Sequence, residues 1–165
     1  MRTDMNTIDV SYEKSAYRTF APKADVLGYL NLVLDKIGLN NVEFSVSFVS
    51  EDSIHEMNRD YRSIDDSTDI LSFAAEDEDP DGFVFVSKGR RKRLLGDMVI
   101  CPEVLKRNAV SFSVSEHEEL RRLLIHGVLH LSGDNHQTND MSEPMLKRQE
   151  KILSELTLSN KTLLN

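Results

Sequence analysis

His126, His130 and His136 form an H-x3-H-x5-H string with Gly133 between the last two, and they are three of the chain's five histidines. Imidazole ligates Zn²⁺ and similar divalent ions well, and three protein ligands leave a position open for water or substrate. Structural zinc sites are usually closed by four ligands, so a three-imidazole set is catalytic in type. Ser115 and Glu118 make an S-x-x-E capping box, which starts a helix near Glu116. On that helix Leu120, Leu123, Leu124, Gly127 and Leu131 form an apolar stripe in steps of three and four. His126 and His130, four apart, project side by side from one flank, about a quarter turn off the stripe. Glycine takes a positive φ without steric cost, so the chain doubles back at Gly133 and returns His136 toward the other two. The expectation is a site for one divalent transition metal at the end of a C-terminal helix. His55 and His117 lack such a context and read as surface residues.

The spacing is also that of the metzincin string H-E-x-x-H-x-x-G-x-x-H, which raises a metalloprotease first. Those enzymes use the Glu after the first His as general base. This chain has Gly127 there, which can neither take nor give a proton. The ligand set survives and the protease base does not.

Length and composition bound the rest. The chain has 165 residues, 39% apolar and 29% charged, which suits one soluble domain, residues 1–165, able to bury about 70% of its unfolded surface. No apolar stretch approaches the roughly 18 residues of a membrane span, and MRTDMNTIDVSYEK lacks a signal-peptide core. The single Cys101 excludes an internal disulfide and a multi-cysteine zinc site, so a reducing cytoplasm is the expected home. Net charge is −8, which argues against nonspecific coating of nucleic acid but not against a basic cleft on an acidic body. Charge is uneven: residues 76–81 read EDEDPD and residues 88–93 read KGRRKR. Each run reads as a solvated loop, with an edge for a polyanion as the alternative for the basic one.

The elements that must hold the histidines follow from periodicity. Residues 5–12 alternate as a half-buried strand through Ile8, Val10 and Tyr12. Pro22 opens a helix with Val26, Leu27, Leu30, Val33, Leu34 and Ile37 at helical spacing, and Gly38 stops it. Phe44, Val46 and Phe48 mark a second strand. Ser50 caps a short helix with Ile54, Met57 and Tyr61 inward. Residues 70–73 and 94–100 read as strands, residues 83–86 as a possible hairpin arm, and Pro102 opens another helix.

Three blocks then carry a family resemblance. HGVLHLSGDNH (residues 126–136) resembles the H-G-x-L-H-L-x-G-Y-D-H signature of the YbeY family of bacterial ribosomal RNA maturation endoribonucleases. NRDYRSIDDSTDILSF (residues 58–73) resembles that family's N-x-x-Y-R…T-D/N-V-L-S-F stretch, and LLGDMVIC (residues 94–101) its L-L-G-D-I/L-V-I segment. Order, spacing and length agree from about Ile8 to Leu156. The resemblance implies a small α+β fold, a mixed and mainly four-stranded sheet with about five helices. It implies metal-dependent cleavage of single-stranded RNA in small-subunit (16S) rRNA maturation and ribosome quality control. The ribosome and its RNA would be the partners, with no membrane and no DNA. His126, His130 and His136 match the family's metal ligands, with Zn²⁺ the expected ion, and Arg62 matches a basic residue beside the metal. One departure stands out: Asp134-Asn135 replaces the family's Tyr-Asp, removing a carboxylate that could orient a ligand imidazole. Asp134 or the Asn135 amide oxygen are the candidate substitutes.

The chemistry agrees with that reading. A divalent ion on three neutral imidazoles keeps its double charge and can polarise a phosphoryl oxygen. Arg62 can offer a paired fork to the same phosphate, or it pairs with Asp60, Asp65 or Asp66 on the surface. Thr68 and Asp69 either cap a turn or contact substrate. Asp97, inside an apolar strand, is either a buried acceptor or a site residue. No general base stands out, so the nucleophile is water or the RNA's own 2′-hydroxyl. The competing class is a noncatalytic ribosome-binding factor whose metal is structural.

Overall fold

A computed structural model describes residues 6–75, 83–87 and 90–159. The acidic run at residues 76–81, and Lys88 and Gly89 of the basic run, lie outside the described residues. Strand β2 (Val42–Phe48) shows how the sheet is written: Val42, Phe44, Val46 and Phe48 are buried, and the residues between them are not. Successive side chains of a strand point to opposite faces, so this alternation buries one face only. β1 (Thr7–Tyr12) and β5 (Arg90–Ile100) run parallel to β2 on its two sides. β3 (Ile70–Ala74) pairs antiparallel with residues 96–100 of β5, and β4 (Phe83–Ser87) with residues 90–94. Both lie on the edge of β5 away from β2, so the mixed sheet is four strands wide, as expected.

Six helices among the described residues accompany it: α1 (Ser15–Phe20), α2 (Lys23–Ile37), α3 (Glu51–Arg62), α4 (Pro102–Phe112), α5 (Glu116–Leu131) and α6 (Pro144–Ser159). The one beyond the expected five is α1, which is too short to show a period. It has no side-chain cap and buries only Tyr17. The basic run departs from its reading as a loop. β5 begins at Arg90 rather than Leu94, and residues 90–93 are paired strand. Arg91 is exposed, and the Lys92 ammonium donates to the Thr7 hydroxyl.

The main core lies between one sheet face and α2, α5 and α6. A smaller cluster of Val49, Ile54, Leu71, Val99, Cys101 and Val104 sits on the other face, under α3 and α4. Helix α5 packs against α2, α4, α6, β3 and β5. Ile125, Val128 and Leu129 are buried along with the expected stripe. A helix apolar nearly all round is an enclosed one. Only one flank stays open, and His126 and His130 occupy it. No described helix is long and apolar enough to cross a membrane.

β5 carries an extra residue against β2, with Glu43 opposite Leu94 and Phe44 opposite Gly96. Gly96 sits at φ +131, and a Cβ there would collide with the Phe73 carbonyl oxygen and lie 3.0 Å from the Ala75 nitrogen. Only glycine accepts both conditions. Gly96→Ala should therefore cost more than about 3 kcal/mol, lowering the melting temperature by roughly 6–12 °C for a chain of this size. A calorimetric shift under 2 °C would show that β3 yields without strain.

Candidate metal centre

Helix α5 ends in a Schellman arrangement. The Gly133 N–H donates to the His130 carbonyl at 3.1 Å and the Asp134 N–H to the Leu129 carbonyl at 2.9 Å. Gly133, at φ +111, is the left-handed residue that this closure requires. The chain then turns back, and Glu143 fastens the return by accepting from the Thr138 hydroxyl at 3.1 Å. His136 is thereby carried to the open flank of α5. Ring centroids lie 4.6 Å apart for His126–His130 and 5.2 Å apart for each pairing with His136. One ligand atom from each ring falls within 4.8 Å of the others, so the three can hold a metal ion. The sequence spacing and the geometry agree here.

The outward side of each ring is engaged. His136 Nδ1 donates to the Thr138 carbonyl at 2.8 Å, and His126 Nδ1 meets Gln149 Oε1 at 2.7 Å. His130 is hydrogen-bonded to the backbone of Asp134. Burial disfavours the charged imidazolium, and the neighbouring rings add to it. His130 is pushed down to about 4 and His126 is also lowered. Neutral imidazole is the ligating form, so this donor set fits a divalent ion.

The triad opens on a cleft of about 630 Å³, with His126, His130 and Asn135 on one wall and Arg62, Thr68 and Ser72 on the other. Arg62 donates from Nη2 to the Ser72 carbonyl at 2.6 Å, and its guanidinium lies over the Phe73 ring, 5.3 Å from the centroid. The carboxylates considered for a surface pairing are engaged elsewhere. Asp60 faces Arg59, Asp65 faces His55, and Asp66 accepts from the Ser67 N–H. Arg62 thus stands in the cleft with the imidazoles.

Other expectations change. Asp97 is exposed and accepts from the Ser45 hydroxyl at 2.6 Å, so it is not a buried acceptor. Alternation from the fully buried Met98 puts it on the sheet face away from α5 and outside this cleft. Asp69 accepts from Asn108 Nδ2 at 3.1 Å, while Thr68 does line the cleft. His117 is half-buried, stacked on Phe20 and bonded to its carbonyl at 2.9 Å, rather than a plain surface residue. Asp134 turns to Arg148, 3.0 Å away, so neither it nor Asn135 supplies a side-chain acceptor for a ligand ring. Gln149 does, and the sequence reading missed it. Its signal was a polar residue on an apolar stripe, with Met145, Leu146, Ile152, Leu153 and Leu156 as its buried companions.

Comparisons with known proteins identify the family. The family model described as "Endoribonuclease YbeY" matches residues 7–157. A Treponema denticola protein named Endoribonuclease YbeY is 37% identical over 148 residues, covering 90% of this chain and 92% of its own. A protein of the same name from Lactobacillus gasseri is 35% identical, covering 93% and 92%. The solution structure of a Thermotoga maritima protein superposes with a TM-score of 0.60 at 28% identity, covering 93% of this chain and 91% of that one. With a family model that matches residues 7–157 and so spans almost every described element, the chain belongs to the YbeY endoribonuclease family.

Proposed function

We propose that the chain is a metal-dependent endoribonuclease that cuts single-stranded RNA, acting in small-subunit (16S) rRNA maturation and ribosome quality control in the cytoplasm. The observation that carries this reading is the clustering of His126, His130 and His136 beside a cleft that His126, His130 and Arg62 line, in a member of an endoribonuclease family. Residues 1–165 act as one catalytic domain on ribosomal RNA, with no membrane or DNA partner. The three histidines hold one divalent transition metal, Zn²⁺. Bound there, it supplies a Lewis acid that draws charge from a phosphoryl oxygen. Arg62 meets the same phosphate. One of its five N–H donors is spent on Ser72, and the rest of the fork remains for an anion whose charge grows in the transition state. Phe73 holds the plane of that fork. Gly127 leaves no base for peptide hydrolysis.

Four outcomes test this reading. Purified protein should cleave single-stranded RNA and stop when a chelator is added. His130→Ala should lack both cleavage and metal. One full equivalent of metal in that variant, by elemental analysis, would mean the ligand set is wrong. Arg62→Lys keeps the charge but not the fork, so kcat should fall about 10²–10³-fold with metal content unchanged. An unchanged kcat would return Arg62 to a packing role.

The fourth outcome is a pH dependence of the metal-free protein. His130 has a folded-state pKa of about 4, below the ordinary 6.5, so the unfolded chain takes up the proton first as pH falls. Stability is full above about 6.5 and is lost progressively toward 4. Between pH 7.5 and 5 the melting temperature should fall further in the metal-free wild type than in metal-free His130→Ala. Parallel curves would sink the assignment of that slope to the buried ring.

A further inference from the structure

Gln149 is 5% exposed and lies on the buried stripe of α6, where a carboxamide must have both ends satisfied. Its nitrogen only donates and its oxygen only accepts. Nε2 donates to Glu150 Oε2 at 3.0 Å. Glu150 is itself gripped by Arg122, whose Nε lies 3.2 and 3.0 Å from its two oxygens and whose Nη2 lies 3.1 Å from Oε1. Arg122 is anchored in turn on its own helix, 3.0 Å from Glu119 and 3.2 Å from Glu118. A permanently charged guanidinium holds Glu150 as a carboxylate, which can only accept. That fixes the amide. The nitrogen end is committed to Glu150, so the oxygen end faces His126 and can only accept from Nδ1 at 2.7 Å.

We propose that Gln149 is the positioning residue of the triad. By accepting from His126 Nδ1–H, it holds the ring in the one tautomer and rotation that leave the Nε2 lone pair facing His130 and His136. The inference rests on the reading of the three histidines as a metal centre and adds the group that prepares one of them. Arg122 and His126 are one helical turn apart on α5, while Gln149 and Glu150 come from α6. The relay therefore ties ligand geometry to the packing of these two helices. A carbonyl does the same for His136 from the loop, but His126 depends on a side chain and so can be tested by substitution.

Long-range ¹H–¹⁵N NMR of the metal-free protein at pH 8 reads the tautomer directly. Wild-type His126 should carry its proton on Nδ1. Gln149→Met keeps the length of the side chain without an accepting oxygen. It should mix or switch the tautomer and weaken Zn²⁺ binding, measured by competition with a chromophoric chelator, about 10–100-fold. Gln149→Glu retains an acceptor and should retain the Nδ1–H form. Wild-type His126 protonated on Nε2 overturns the proposal without any variant, so a substitution that fails to fold does not shelter it. A Met variant with the wild-type tautomer overturns it as well. An Nδ1–H wild type that binds no Zn²⁺ supports the role of Gln149 while removing the metal reading beneath it.

Discussion

At Gly127 the backbone of α5 runs so close to the sheet that an added Cβ would overlap the thioether of Met98, with Sδ 2.6 Å away. Met98 is fully buried, so that contact cannot be relieved toward solvent. The close approach seats the helix between β5 and the surrounding α2, α4 and α6. One residue before it is His126 and three residues after it is His130. Turning α5 by a single residue, about 100°, would expose Ile125, Val128 and Leu129 at about 1.5–3 kcal/mol each. The ring positions are therefore set by apolar packing on the rest of the same helix. The glycine that removes the protease base is also the residue that lets the helix sit there.

Electrostatics on this molecule is local. The body carries a net charge of −8, and charges beyond about 8 Å are screened at physiological salt. A polyanion cannot be drawn by the molecule as a whole. What the cleft offers instead is Arg62, placed over Phe73, beside rings that burial biases toward the neutral form. Neutral rings withhold positive charge from the empty cleft but leave their lone pairs available. The same burial that lowers His130 makes its protonation cost folding free energy, so ligand readiness and acid sensitivity have one cause.

How much of this was legible in the sequence depends on the range of the determining contacts. The capping box at Ser115, the step from His126 to His130 and the bend at Gly133 are decided within one or two helical turns, and they read directly. β2 declared itself by strict alternation. Residues 90–93 did not, because their strand is imposed by β4 and by Val42, partners that their own charges do not advertise. Asp97 misled because an apolar neighbourhood in sequence says nothing about which face of a strand is covered. From its own neighbours in sequence Arg62 read more readily as a surface ion pair, and its candidate carboxylates proved engaged elsewhere. Gln149 sits 23 residues from His126 and could be found only by asking why an apolar stripe contains an amide.

The replacement of the family's Tyr-Asp by Asp134-Asn135 acquires its meaning from those acceptors. A carboxylate behind a ligand imidazole makes the ring more basic and brings negative charge toward the site. Here the groups behind the rings are the Gln149 amide oxygen, the Thr138 carbonyl and the Asp134 backbone, all formally neutral. The carboxylates stand further back: Asp134 pairs with Arg148, and Glu150 shares Arg122 with Glu118 and Glu119. Orientation of the rings is thus obtained without a carboxylate in direct contact with them. A divalent ion held by three neutral ligands backed by neutral acceptors would retain its full charge toward the cleft, where Arg62 adds another. Loss of the carboxylate at Asn135 would then cost ligand basicity but favour an anionic substrate, because a phosphodiester would meet both positive groups with no carboxylate directly behind the rings.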